Sequence, residues 1–263
     1  MGHKARISLV GPDGRCIEHA LAQAFLVIER FLHMTDRDLP CSDLTRLCSS
    51  DAGSLVPVPN RLWQLLRLAN DVACRTNGVF DVAAAGSAGS ARWTDIDLSK
   101  PGHVRLRRRM FLSLGGLKRG FAVDLAIQAL KELGVGSGLA DIGGCIRAFG
   151  PRAWRIDFRP GGGLNAETDR PVIPLQLQGG AVAGIGSMFG AARLHDTVTD
   201  TVGSTAHWAD MNMLVRAESC AMADALSKVA ALSPAASKNH LAPFGADAIV
   251  LTSRGAAQLN YVS

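Results

Sequence analysis

The chain has 263 residues, 48% hydrophobic and 19% charged, which excludes a disordered or low-complexity polymer and fits one large globular domain or two closely joined small ones. Its formal charge is +5, much of it in the run Arg105-Leu106-Arg107-Arg108-Arg109, so the remainder is nearly neutral and offers no chain-wide surface for nucleic acid. Aromatics are only 5%, with a single tyrosine, Tyr261, whereas the 28 glycines stand at about 11% against a usual ~7%.

Ile7 to Val10 is a short β-type run stopped by the turn cluster Gly11-Pro12-Asp13-Gly14. Leu21, Ala24, Phe25, Ile28, Phe31 and Leu32 recur at helical spacing and predict an amphipathic helix over Ile17 to Met34. Asp36 to Ser54 is polar, with Ser42-Asp43 placed to cap a short helix holding Leu44 and Leu47. A helix follows over Pro59 to Thr76, with Leu62, Leu65, Leu66, Leu68 and Ala69 as its stripe, broken by Asn77-Gly78. Ala83 to Ser90 is a small-residue loop. Strands are predicted at Val104 to Leu106 and Phe111 to Leu114, and the basic run before the second strand reads as a solvated loop or hairpin arm.

The glycine turn Gly115-Gly116-Leu117-Lys118-Arg119-Gly120 leads into a helix over Phe121 to Leu133. Leu139 to Ile142 runs into a second glycine pair, Gly143-Gly144. Further strands are predicted at Ile146 to Phe149, Trp154 to Phe158, Val172 to Leu177, Ala181 to Ile185 and Met213 to Val215. A helix spans Cys220 to Leu232, and Ala248 to Thr252 reads as the last core strand. The irregular stretch Gly190 to Met211 carries His195, Asp196, Asp200 and His207. Helices and strands interleave without strict alternation or a fixed repeat, so the expected class is α+β, a mixed α/β fold.

The six cysteines (Cys16, Cys41, Cys48, Cys74, Cys145, Cys220) show no zinc or C-x-x-C spacing and read as small buried hydrophobes of a reducing compartment, with a Cys41–Cys48 disulfide left open. No stretch reaches the ~18 apolar residues of a bilayer span, and Met1 to Arg6 lacks a signal peptide's apolar segment, so the chain as given reads as cytoplasmic.

Gly115 to Gly120 lacks the glycine spacing of a dinucleotide fingerprint and the Gly-Lys-Ser/Thr of a Walker loop. A strand, glycine turn and helix still offer an anion the helix amino terminus, and Lys118 and Arg119 add charge there. Asp224 lies among small apolar residues on a helix, so it needs a cap, a metal or an ion pair, and Lys228 stands at i+4. His195 and Asp196 sit in a polar loop, where function concentrates. Neither Gly-x-Ser-x-Gly nor His-Glu-x-x-His occurs, which leaves hydrolase chemistry little support.

Taken in order, several segments resemble the FAD:protein FMN transferase (ApbE-like) family, also called the thiamine biosynthesis lipoprotein family. They are the opening Met1-Gly2, Pro40-Cys41-Ser42-Asp43-Leu44-Thr45-Arg46-Leu47, Thr76-Asn77-Gly78-Val79-Phe80-Asp81, and Leu114-Gly115-Gly116-Leu117-Lys118-Arg119-Gly120-Phe121-Ala122-Val123-Asp124. Ile142-Gly143-Gly144-Cys145-Ile146-Arg147-Ala148-Phe149-Gly150 and Ala223-Asp224-Ala225-Leu226-Ser227 complete the set. The resemblance implies one ApbE-like flavin-binding domain over residues 1–263. It implies Mg²⁺-assisted cleavage of FAD and transfer of FMN to a Ser or Thr hydroxyl of an acceptor flavoprotein, with AMP leaving.

By position it assigns Gly116, through its carbonyl, and Asp224 as metal ligands. His195 and Asp224 become the catalytic pair, with His195 orienting or activating the acceptor hydroxyl. Met1, Gly115, Gly116, Lys118, Arg119, Asp124, Gly143, Gly144 and Lys228 bind the flavin nucleotide, Asp124 holding the following helix. The sequence departs from the family where a Thr is replaced by Lys228, an acidic residue by Ser113 and Thr-Ser-Gly by Gly184-Ile185-Gly186; the His-x-x-Asp-Pro pattern after His195 is also broken. Two metal-side oxygens are thus absent, and the Lys228 ammonium is expected near the metal position. The alternative is a catalytically degenerate FAD-binding protein of the same fold. Exported family members imply a periplasmic location if an export signal lay upstream.

Overall fold

The computed structural model describes residues 5–10, 14–83, 91–158, 173–185, 212–232, 236–252 and 255–258. Strand β1 (Ala5–Val10) leads into helix α1 (Gly14–Met34), then α2 (Asp43–Cys48), β2 (Leu55–Pro57) and α3 (Asn60–Arg75). Strands β3 (Ile96–Asp97) and β4 (His103–Leu106) precede α4 (Lys118–Glu132). A run of strands follows: β5 (Ser137–Ile142), β6 (Cys145–Phe149), β7 (Trp154–Phe158), β8 (Ile173–Leu177), β9 (Ala181–Ile185) and β10 (Asn212–Ala217). Helices α5 (Cys220–Leu232) and α6 (Ser237–Leu241) and strands β11 (Asp247–Thr252) and β12 (Gly255–Gln258) complete the order.

Seven strands form one antiparallel sheet in the order β1-β5-β6-β9-β10-β11-β12. Its residues alternate between two apolar layers, as the period of two requires. Ala140, Ile142, Cys145, Ala183, Met213 and Val215 join the main core with the helices. Leu139, Ile146, Ala148, Val182 and Leu214 face the other way and are covered by Trp154, Ile156, Leu175 and Leu177 of the β7–β8 hairpin. Helix α1 buries Ala20, Ala24, Ile28 and Phe31 against α4, where the Phe31 and Phe121 rings stack at 5.1 Å.

The sequence reading places the α1, α2, α3, α4 and α5 helices, with Ser42 accepting the Thr45 N–H as the α2 cap. Helix α3 ends where expected: Asn77 and Gly78 both take positive φ, and the Gly78 N–H donates to the Ala73 carbonyl at 2.8 Å. Phe111 to Leu114 is not a strand. Phe111 is 66% exposed while Leu112 and Leu114 are buried, and the Ser113 N–H bonds to the Val82 carbonyl, outside any ladder. The small sheet β2-β4-β3 was not visible in the sequence because β2 and β3 have three and two residues, too few for a periodic signal. Thr252 does not end the sheet, since β12 adds an edge strand after it.

The cysteine expectation needs correction. Cys145 and Cys220 are buried, but Cys16, Cys41 and Cys74 are exposed, and none of the six is in a disulfide, so Cys41 and Cys48 are not bridged. The arginine run lies on the exposed rim of the small sheet, Arg107, Arg108 and Arg109 reaching Asp97, Asp95 and Asp51 at 3.9, 3.5 and 3.7 Å. Among the described residues no helix is long and apolar enough to cross a membrane.

Candidate functional site

Two helix amino termini and one hairpin tip converge on Asp224. The tip is the two-residue turn Gly143-Gly144 between β5 and β6, with Ile142 opposite Cys145 and φ of 57° and 85°. Positive φ at both positions is the requirement of a type I′ turn, which glycine meets without strain. The Asp141 side chain accepts the Gly144 N–H at 3.0 Å and so pins the tip; burial pushes its carboxyl up, against that bond.

Helices α4 and α5 cap each other. The Asp124 carboxylate of α4 accepts the N–H groups of Cys220 (2.9 Å) and Ala221 (2.8 Å) at the start of α5. In return the Asp224 carboxylate of α5 accepts the Gly120 N–H in the first turn of α4 at 3.3 Å. Each carboxylate thereby meets the positive end of the other helix. Close approach is possible because residue 120 has no side chain: a Cβ there would lie 2.2 Å from the Cys220 carbonyl oxygen. Arg147, from β6, braces Asp124 through an ion pair, and burial raises the Asp124 carboxyl against the pull of Arg147 and the two N–H donors.

Asp224 is fully buried and shared by two cations. Its Oδ1 receives the Lys228 ammonium one turn along α5 and lies 3.5 Å from the Arg119 guanidinium. Arg119 also donates to the Gly143 carbonyl at 3.2 Å, which joins the hairpin tip to the cluster. Lys228 donates to Ser227 Oγ at 3.2 Å, and that hydroxyl donates to the Asp224 carbonyl at 2.7 Å. Burial alone would lower the Arg119 pKa, but the Asp224 carboxylate overrides it and holds the guanidinium above its ordinary value. Two cations on one carboxylate leave the buried cluster with an excess positive charge suited to an anion.

Of the residues expected at the site, Arg119, Asp124, Gly143, Gly144, Asp224 and Lys228 come together. Gly115 is exposed and Gly116 buried in the turn that opens α4. Lys118 is buried at the first position of α4; burial pushes its ammonium below the ordinary range, with Asp36 and Asp38 opposing. Met1 and His195 lie outside the described residues. Asp141, Arg147 and Ser227 were not singled out as site residues, although Arg147 and Ser227 lie inside segments that carried the family resemblance.

The Mg²⁺ that the resemblance implies finds a poor donor set here. Asp224 Oδ1 is held by two cations and Oδ2 by the Gly120 N–H, and among the described residues no three His, Cys, Asp or Glu side chains gather as a metal cluster. Magnesium needs several oxygens in near-octahedral array, which these groups do not offer.

Comparison with known proteins agrees with this architecture. The flavinyl transferase ApbE of Pseudomonas stutzeri, in its apo form, superposes with a TM-score of 0.72 at 20% identity over 97% of this chain and 93% of that one. The ApbE protein of Thermotoga maritima gives 0.76 at 19% identity over 98% and 94%, and these likenesses establish the α+β fold. A curated FAD:protein FMN transferase from Rhodobacter capsulatus is 26% identical over 41% of this chain, a match that spans 26% of that relative's own length. The ApbE family model matches residues 1–250, and the chain belongs to that family.

Proposed function

We propose that this chain binds FAD with the pyrophosphate against Arg119, Lys228 and Lys118 at the start of α4, and transfers FMN to a Ser or Thr hydroxyl of an acceptor flavoprotein. The acceptor oxygen attacks the FMN phosphorus, the bridging P–O bond breaks, and AMP leaves with the bridging oxygen. The acceptor proton passes to His195, which we assign as the group that activates the hydroxyl. Charge builds on phosphate oxygens in such a reaction, so fixed cations and helix amino termini are the catalytic resources that matter.

One observation carries this reading: a buried carboxylate bears two cations at the junction of a helix amino terminus and a glycine hairpin tip. Family membership points the same way. Incubating the pure chain with FAD and an acceptor domain should add the mass of one FMN group to the acceptor. Arg119→Gln should weaken FAD binding by roughly tenfold or more, the worth of a charge-assisted hydrogen bond. The Lys228–Asp224 pair favours a second reading, a flavin-binding member without transfer. That reading predicts saturable FAD binding and an acceptor of unchanged mass.

A further inference from the structure

Asp224 is 0% exposed and Lys228 3% exposed, so their pairing is a fixed part of the interior. Two donors of the Lys228 ammonium are placed, on Asp224 Oδ1 and Ser227 Oγ, which leaves one of its three for a ligand oxygen. A divalent ion seeking Asp224 Oδ1 would meet two cations already there, Lys228 and Arg119, inside a region of low polarizability.

We propose that the Lys228 ammonium is the permanent cation of this site, so that the pyrophosphate of a flavin dinucleotide is held without Mg²⁺. The proposal rests on the flavin reading above and specifies how that site neutralises its ligand. An ammonium supplies a point charge and a donor, whereas a divalent metal also imposes an octahedral array on its oxygens. Ligand affinity is therefore metal-independent, and whatever transfer occurs relies on Arg119, Lys228 and Lys118 for charge.

Calorimetric titration of FAD into the intact chain, in EDTA and in millimolar Mg²⁺, tests it. The expected result is the same affinity in both. Lys228→Thr, which exchanges the ammonium for a hydroxyl, should bind FAD about tenfold or more weakly in EDTA and regain affinity with Mg²⁺. Binding by the unmodified chain only in Mg²⁺ overturns the proposal and leaves the flavin reading standing. No binding in either buffer removes the flavin reading and the proposal with it. A Lys228→Thr chain that is folded by circular dichroism but shows no Mg²⁺ effect also overturns it; should that variant not fold, the unmodified chain alone decides.

Discussion

Lys118 shows what the site costs at the level of one side chain. It is buried at the first position of α4, and burial lowers its pKa from the ordinary 10.5 despite Asp36 and Asp38. The unfolded chain holds that proton more tightly, so the folded state bears a full penalty below the lowered pKa and recovers stability as pH rises toward 10.5. Lys118→Met should accordingly be more stable than the parent at pH 7, with the gain shrinking as pH approaches 10.5 in urea unfolding, while FAD affinity falls. Residue types at this site were readable in the sequence: cations beside a glycine turn, and an aspartate among alanines that had to find a partner. Their partners across the fold were not. That Arg147 braces Asp124 and Asp141 pins Gly144 depends on strand register, which no local pattern encodes.

At the level of elements, α4 and α5 meet backbone to backbone. A Cβ on residue 120 would stand 2.2 Å from the Cys220 oxygen and 2.7 Å from the Ala221 Cα, and backbone cannot move aside as a flexible side chain does. Gly120→Ala should lose about 3 kcal/mol in urea unfolding, as overpacking does, and should loosen the Gly120–Asp224 bond with it. Gly136→Ala is the control, since no atom lies within 4 Å of its added Cβ, and should change little. Helix α5 and strand β9 match their sequence-predicted limits, and each is built largely of small and apolar residues. Phe111 to Leu114 has the same apolar composition yet is no strand, because a segment's partner, more than its propensity, decides whether a ladder forms.

Across the whole molecule, the sheet is a middle layer with helices on one face and the β7–β8 hairpin on the other. This explains why its central strands read as nearly unbroken apolar runs although every pairing in the sheet is antiparallel. The α+β class was legible from interleaved periodicities; the strand order, joining β1 to β5 across the chain, was not. Cys145 and Cys220 lie inside the helix-side core, where burial and the neighbouring Cys145 push the Cys220 thiol well up. Iodoacetamide at pH 8 should label the exposed Cys41 and Cys74 promptly and reach Cys145 and Cys220 only at the rate of global unfolding, as read by mass spectrometry.

Strand order in the large sheet follows the order of synthesis from β1 to β12. Each strand after β5 can therefore add to an edge already laid down while the chain is still emerging from the ribosome. The Arg119–Asp224–Lys228 cluster has no such head start, because Gly120 and Asp224 are 104 positions apart. Until α5 has been made, the start of α4 lacks both its carboxylate cap and the Lys228 charge. That charged cluster is thus among the last features the growing polypeptide acquires, and a product truncated before Cys220 would carry five of the seven strands of the sheet without it.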